Sequence, residues 1–393
     1  MPKKAVFIFF LLAFLGAALF IFFTFPRTKE EIPASNNQRP FPSAPGPNNM
    51  PGPESVPHPN TPNPQHGPTL RVMAWAASNE VKAIRSEADA FEAATGNRAS
   101  FTIESDMATY QHDLQQAIAS ETPPDVCLIG AHDFSGLDPA RDLADATPAP
   151  GTAPRSIAAF TVGGAVKAAP DEFSVDVLFY NPDHFDRAGI GYPDRHWNWD
   201  ILEAMSRALA SLNLKDDLGE PVYPLELPAD FDFWNILCTQ AGHPALDLDV
   251  WHLSDTESRE SQMRALDFIP DLFHQLTITA PLQKTHAPPG RLFAQQRASL
   301  LIAPSQLTAS LPKFHYAFTL LPSDISRASL ARVNGWAVTA RSSQPEAARA
   351  LALFLARQPV HTGWSSVQKP LDDTGPEATC YEALGQAILP RIE

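Results

Sequence analysis

Three cysteines in 393 residues are too few for a disulfide framework, and Cys127, Cys238 and Cys380 form no CxxC pair. An odd count leaves at least one thiol unpaired, and such low usage fits an exported chain that does not depend on disulfides. Basic residues are scarce as well. There are 29 Lys and Arg against 44 Asp and Glu, a net charge of -15, so the basic face that nucleic acid demands is missing. Enzyme signatures are also absent: no G-x-S-x-G, no H-E-x-x-H, no phosphate-binding glycine loop and no dinucleotide fingerprint. The 12 histidines are scattered without ligand spacing, so neither a metal site nor a cofactor is expected. A carboxylate pair for glycosidic chemistry stays open, because any two of 44 acids can meet in space.

What the chain does have begins with Ala5 to Phe25, an almost wholly apolar run long enough to cross a bilayer as a helix. Lys3 and Lys4 precede it, which puts the N-terminus in the cytoplasm and the body outside. The other reading is a cleaved signal peptide. The run is longer than an ordinary h-region, however, and the bulky stretch Leu19 to Phe25 lacks a small-residue cleavage site. Residues 1–26 are therefore read as a single transmembrane anchor at the cell (inner) membrane. Residues 27–68 are rich in Pro, Asn, Gly and Ser and hold few aliphatic side chains, which predicts a disordered, semi-rigid spacer.

Folded sequence starts near residue 69. Leu70 to Ala76 reads as a strand, followed by a helix with Val81, Ile84, Ala88 and Phe91 at helical spacing, capped by Ser78 or Asn79 and closed by Gly96. Ala99 to Ile103 is a second strand. A helix with Tyr110, Leu114 and Ile118 follows and breaks at Pro123-Pro124, and Asp125 to Gly130 is a third strand. This alternation predicts a parallel α/β sheet, with ligands beyond the carboxyl ends of the strands. Val175 to Tyr180 reads as a buried strand, Asn181-Pro182-Asp183 as a turn and Gly189 as a helix stop. Glu257 to Leu276 is amphipathic, with Met263, Leu266, Ile269, Leu272 and Phe273 in the expected buried stripe. Ala298 to Ala303, Tyr316 to Leu321 and Arg332 to Thr339 complete the strands, and Pro345 opens a last amphipathic helix.

The order of these segments resembles the extracellular solute-binding proteins of family 1, the maltose-binding-protein-like substrate-binding proteins of ABC transporters. Tyr180-Asn181-Pro182-Asp183-His184-Phe185, with Ala188-Gly189, Pro193 and Trp199-Asp200, is the most specific element. Tyr110 to Ile118 with Pro124-Asp125-Val126, Phe293 with Arg297 to Ile302, and Asn334-Gly335-Trp336 with Glu346-Ala347-Ala348 add to it. The lipobox cysteine of anchored members is missing. The resemblance implies a two-lobed α/β periplasmic-binding-protein fold, type II-like, with a hinge and an interlobe cleft, preceded by one N-terminal transmembrane helix. It implies a solute-binding domain over 69–393, with lobe 1 about 69–174 plus 337–370 and lobe 2 about 175–336 plus 371–393. The implied function is a membrane-tethered, extracytoplasmic binding protein of an ABC importer. It would be a monomer that takes up a carbohydrate or similar polar solute and hands it to a permease, without catalysis. A tethered sensor or scaffold on the same fold, and a tethered polysaccharide hydrolase, are the alternatives.

A sugar offers apolar ring faces and a rim of hydroxyls, so its sites pair aromatic surfaces with carboxylates and amides. The expected ligand-binding residues are Trp75, Trp234 and Trp336 for stacking, Tyr180 beside the crossover, and Ser78, Asp106, Asp133 and Asn334 for hydroxyls. Each tryptophan would serve equally as core, and Ser78 and Asp106 equally as helix caps.

Overall fold

The computed structural model describes residues 67, 69–131, 137–216, 218–228, 230–244, 256–274, 290–357, 359–370, 372 and 374–389. The apolar run Ala5 to Phe25 and the proline-rich spacer up to residue 66 lie outside these. Among the described residues no helix is long and apolar enough to cross a membrane.

The strands in chain order are β1 Thr69–Trp75, β2 Arg98–Glu104, β3 Val126–Gly130, β4 Thr161–Val162, β5 Ala165–Val166, β6 Ala169–Tyr180, β7 Tyr223–Glu226, β8 Ala298–Pro304, β9 Ala317–Thr319, β10 Ser329–Val338, β11 Ser365–Ser366 and β12 Ala387–Ile388. All but β4 and β5 join one sheet, whose main path runs β2-β1-β3-β10-β6-β8-β7. β1 pairs in parallel with β2 and β3, as the strand–helix alternation predicts. The helices Val81–Thr95 and Met107–Ala119 make the crossovers. The first ends on Gly96 at φ 76, a left-handed conformation that costs a glycine nothing. Its start differs from expectation: Glu80, not Ser78 or Asn79, is the N-cap residue, and no side chain caps the helix. The Glu80 carboxylate instead accepts from the amides of Ala77 and Thr362, each at 2.8 Å.

β6 and β10 run antiparallel through the middle of the sheet, and β6 changes partners along its length. Ala169 to Val175 pair with β10, while Asp176 to Tyr180 pair with β8. One half of the α/β fold is built around β1–β3 and the ends of β10 and β6 that join them, the other around the rest of β6 with β7–β9. The turn after β6 forms as read. Asn181 caps the helix Pro182–Ala188 through Asp183, and Gly189 at φ 64 stops it. His184 inside this turn is buried, and its Nδ1 lies 2.9 Å from Ser299 Oγ. Burial, with Arg187 nearby, lowers its pKa to about 4.

In the helix Thr256–His274 the expected stripe fails at Met263, while the side chains of Ile269, Leu272 and Phe273 lie outside the described residues. Met263 is 52% exposed, whereas Ser261 and Ala265 are buried and Phe268 stacks on Trp199 at 4.3 Å. Small residues let this helix approach the helix Phe231–Gln240 closely, and Ser261 Oγ donates to Ala241 O at 3.1 Å. Periodicity alone marks the apolar Met263 and overlooks the small residues that do the packing. Cys127 behaves as a small hydrophobe in β3, and burial pushes its thiol up to about 12.

Candidate functional site

Side chains alternate across a strand, so Glu172, Ser174 and Asp176 of β6 share one face while Phe173, Val175 and Val177 share the other. The second set packs into an apolar cluster with Phe293, Val333 and Ala383. The first set forms a polar stripe along the part of β6 where its partners change. β10 extends it: Arg332 sits opposite Ser174 and Asn334 opposite Glu172.

Each group in the stripe has a partner. Glu172, 0% exposed, accepts from Asn334 Nδ2 at 2.9 Å and from the His361 amide at 2.9 Å, and the His361 ring contacts it through Nδ1. The Ser174 hydroxyl lies 3.3 Å from Ser305 Oγ and accepts from the Gln306 amide. Asp176 accepts from Arg332 Nη1 at 2.9 Å, and Arg332 Nη2 reaches Asp232 at 3.3 Å. Burial raises the pKa of Asp176 to about 6 despite the Arg332 charge, and Asp230 and Asp232 push it the same way. At one end the stripe is roofed by aromatic rings. His361 stacks on Trp75 at 3.6 Å, with an interplanar angle of 21°, and its Nε2 lies 3.1 Å from the Trp75 carbonyl.

Of the expected ligand residues, Asn334 bonds Glu172 directly, and Trp75 meets it only through the His361 ring. Trp75 Nε1 and Asn334 Oδ1 are buried and have no hydrogen-bond partner among the described residues. The remaining expectations are corrected or fall elsewhere. Trp336 is 0% exposed, packs with Leu70, Val72, Leu128 and Leu351, and donates to Asp171 at 3.2 Å. It is a core tryptophan with no free face for a ligand. Asn334 is also fully buried, and its amide serves Glu172. Asp106 is the N-cap of Met107–Ala119, and its carboxylate accepts from the Thr109 amide and hydroxyl, which hold its pKa below the usual carboxylate value. Ser78 is exposed in the turn after β1. Tyr180 ends β6 and packs on Phe185 and Tyr192. It lies four residues beyond Asp176, about 13 Å along the strand, so it does not reach the polar stripe. Trp234 is half-buried, edge-on to Phe231, and its Nε1 has no partner among the described residues. Asp133 lies outside the described residues.

Asp106→Ala should therefore lower Tm by about 2–4 °C through loss of the cap, and leave ligand binding at the wild-type level. A thermal melt beside a binding titration checks this, and a binding loss with unchanged Tm would return Asp106 to the site.

Sequence reading missed Glu172, Ser174, Asp176, Arg332 and His361. The first four carried a signal, because Glu172-Phe173-Ser174-Val175-Asp176-Val177 and Arg332-Val333-Asn334 alternate polar and apolar within buried strands. His361 carried none; only the tertiary fold brings it to Trp75.

Two described cavities flank these elements. A small one of about 20 Å³, lined by Trp75, Tyr110, Leu114, Leu128 and Gly130, has room for little more than a water molecule. A larger one of about 350 Å³ lies at the amino-terminal end of β3, among Gln115, Pro123, Arg141, Asp142, Thr339 and Arg341. Its arginines are committed, Arg141 to Asp142 at 2.7 and 2.8 Å and Arg341 to the Ile118 carbonyl. The polar stripe is the better candidate because it ends against an aromatic ring, which the lining of this cavity lacks. Among the described residues no cluster of His, Cys, Asp and Glu is arranged to hold a metal ion.

Residues 76–360 match the model of a family described as bacterial extracellular solute-binding protein. Solved structures share the fold. An ABC substrate-binding protein from Listeria monocytogenes in complex with cycloalternan superposes with a TM-score of 0.65 at 20% identity, covering 83% of this chain and 89% of that one. A sugar transporter from Rhizobium etli in an open conformation gives 0.63 at 18% identity, covering 82% and 89%. The GacH receptor of Streptomyces glaucescens, solved unliganded and with acarbose, gives 0.62 at 16% identity, covering 82% and 87%. No curated relative matches the sequence.

Proposed function

The chain belongs to the bacterial extracellular solute-binding protein family, and from that premise we propose that it captures a carbohydrate for an ABC importer, outside the cytoplasm and tethered to the cell membrane. The observation that carries this reading is the polar stripe Glu172, Ser174, Asp176, Arg332 and Asn334. It lies on the two strands common to both halves of the fold and ends against the Trp75 ring. A carbohydrate needs this pairing of an aromatic face with groups that accept from and donate to hydroxyls. Structures of the same fold carry cycloalternan and acarbose, which supports a saccharide ligand. Closure of the two lobes over the stripe would bury the ligand, and a permease would read the closed form. Tethering rests on the apolar run Ala5 to Phe25 and the proline-rich spacer that follows it.

A sugar panel screened by thermal shift tests this. A ligand at a hundredfold excess over its Kd adds about 2.7 kcal/mol, enough to raise Tm by several degrees. Trp75→Ala should remove most of that response. If no sugar moves Tm, and Trp75→Ala changes nothing, the carbohydrate reading fails.

A further inference from the structure

The Trp75 ring and the Glu172 carboxylate are the two groups best placed to hold a ligand, and one side chain already occupies both. His361 lies flat on Trp75 at 3.6 Å and contacts Glu172 through Nδ1. Its Nε2 faces the Trp75 carbonyl at 3.1 Å, and a carbonyl can only accept. Glu172 accepts from Asn334 and the His361 amide, one on each oxygen, and meets the ring through the oxygen that Asn334 also serves. A proton on each ring nitrogen would satisfy both of these acceptors over a tryptophan face. Among the described residues no arginine or lysine pairs with Glu172, in contrast to Asp176 beside Arg332. The family match ends at Val360, one residue before this histidine.

The segment that carries His361 touches both halves of the fold. The Thr362 amide donates to Glu80, in the turn after β1. At Gly363, φ 84, an added Cβ would fall 2.7 Å from the Gln306 carbonyl, just after β8. The histidine thus sits on a segment bonded to Glu80 and passing close to Gln306.

We propose that His361 keeps the place of the ligand's ring, and that the ligand is a ring bearing a basic nitrogen. On the carbohydrate reading above, on which this inference rests, that ligand is an amino sugar. Glu172 is fully buried, and a guest that displaces the imidazole must keep its charge matched. A neutral sugar would offer the carboxylate hydroxyl donors alone. An amino sugar brings a basic nitrogen to it and presents a ring face to Trp75.

Titration calorimetry on the full chain in detergent decides this, with the glucosamine tetramer, its N-acetylated form, maltotetraose and histamine as probes. Wild type should bind the glucosamine tetramer at least about tenfold more tightly than the acetylated tetramer or maltotetraose. His361→Ala removes the competitor and should tighten glucosamine binding about tenfold further. His361→Gln, which keeps the side chain's length, gives the same direction should the alanine variant melt too low. Glu172→Gln should erase the preference for the amine. Equal or tighter binding of a neutral tetramer overturns the proposal and leaves the carbohydrate reading standing. Weaker glucosamine binding by both His361 variants overturns the placeholder role. Binding of histamine but of no sugar overturns the carbohydrate reading and upholds the cation site. Silence from all four probes, in wild type and both His361 variants, overturns the proposal.

Discussion

Arg332→Ala is expected to destabilise the fold by about 3 kcal/mol at pH 8 and by far less at pH 5, because it strips the counter-charge from a buried carboxylate. Asp176 takes a hydrogen bond from Arg332 at 2.9 Å, and its side chain is 7% exposed. Its pKa is raised to about 6 from an ordinary 3.8, by burial above all, with Arg332 as the opposing influence. The sign follows from that direction. A carboxyl that holds its proton longer in the folded state stabilises fully below the unfolded pKa, and that contribution is lost as pH rises through the folded one. Without Arg332 the folded pKa climbs further, so the loss continues above 6. At pH 5 Asp176 is largely protonated in both proteins, and the two should differ little. Urea unfolding at the two pH values measures this. An equal loss at both would show that Arg332 acts through packing rather than charge. Adding Asp176→Asn should restore much of the stability at pH 8, since the pair is coupled and removing both charges is milder than removing one.

The fold was legible where local chemistry and burial agree. Gly96, the Asp106 cap and the Pro123-Pro124 break separate strands too apolar to be anything else, so β1–β3 and their helices follow from the sequence. β6 was legible only in its second half. Read from the residues it begins at Val175, yet it starts at Ala169, because Asp171 and Glu172 look like loop residues until Trp336, Asn334 and His361 satisfy them. The same interactions hid the candidate site. A polar residue in a buried strand is costly unless partnered, and the partner of Glu172 lies 189 residues away. Trp75 was legible as a strand-end aromatic, but whether its face is free or covered is decided by His361. The error over Met263 has another origin, since small residues that permit close helix approach leave no trace in an apolar stripe.

Trp336→Ala should cost about 4 kcal/mol, against a much smaller stability loss for Trp75→Ala, and the reason lies in how Trp336 is packed beside a bulge in β6. Asn334 and Trp336 are two apart and share a face of β10. β10 keeps an unbroken register with β3 through both, while on β6 Asp171 is passed over between Glu172 and Pro170, a bulge in that strand. Gly335 tolerates the close approach this brings, since an added Cβ would sit 2.8 Å from the Ala169 carbonyl and 2.9 Å from the Phe160 ring. Trp336 packs into the core with Leu70, Val72 and Leu351, on the face of β10 that Val338 shares. Its removal would leave a large cavity there and strip the donor from Asp171, a buried carboxyl whose pKa burial already raises well above the ordinary value. Trp336→Phe should recover much of the packing while leaving Asp171 without its donor, and should fall between wild type and alanine. Denaturant midpoints with unchanged m-values give the ranking. A Trp336→Ala protein of wild-type stability that has lost sugar binding would instead put this tryptophan in the site.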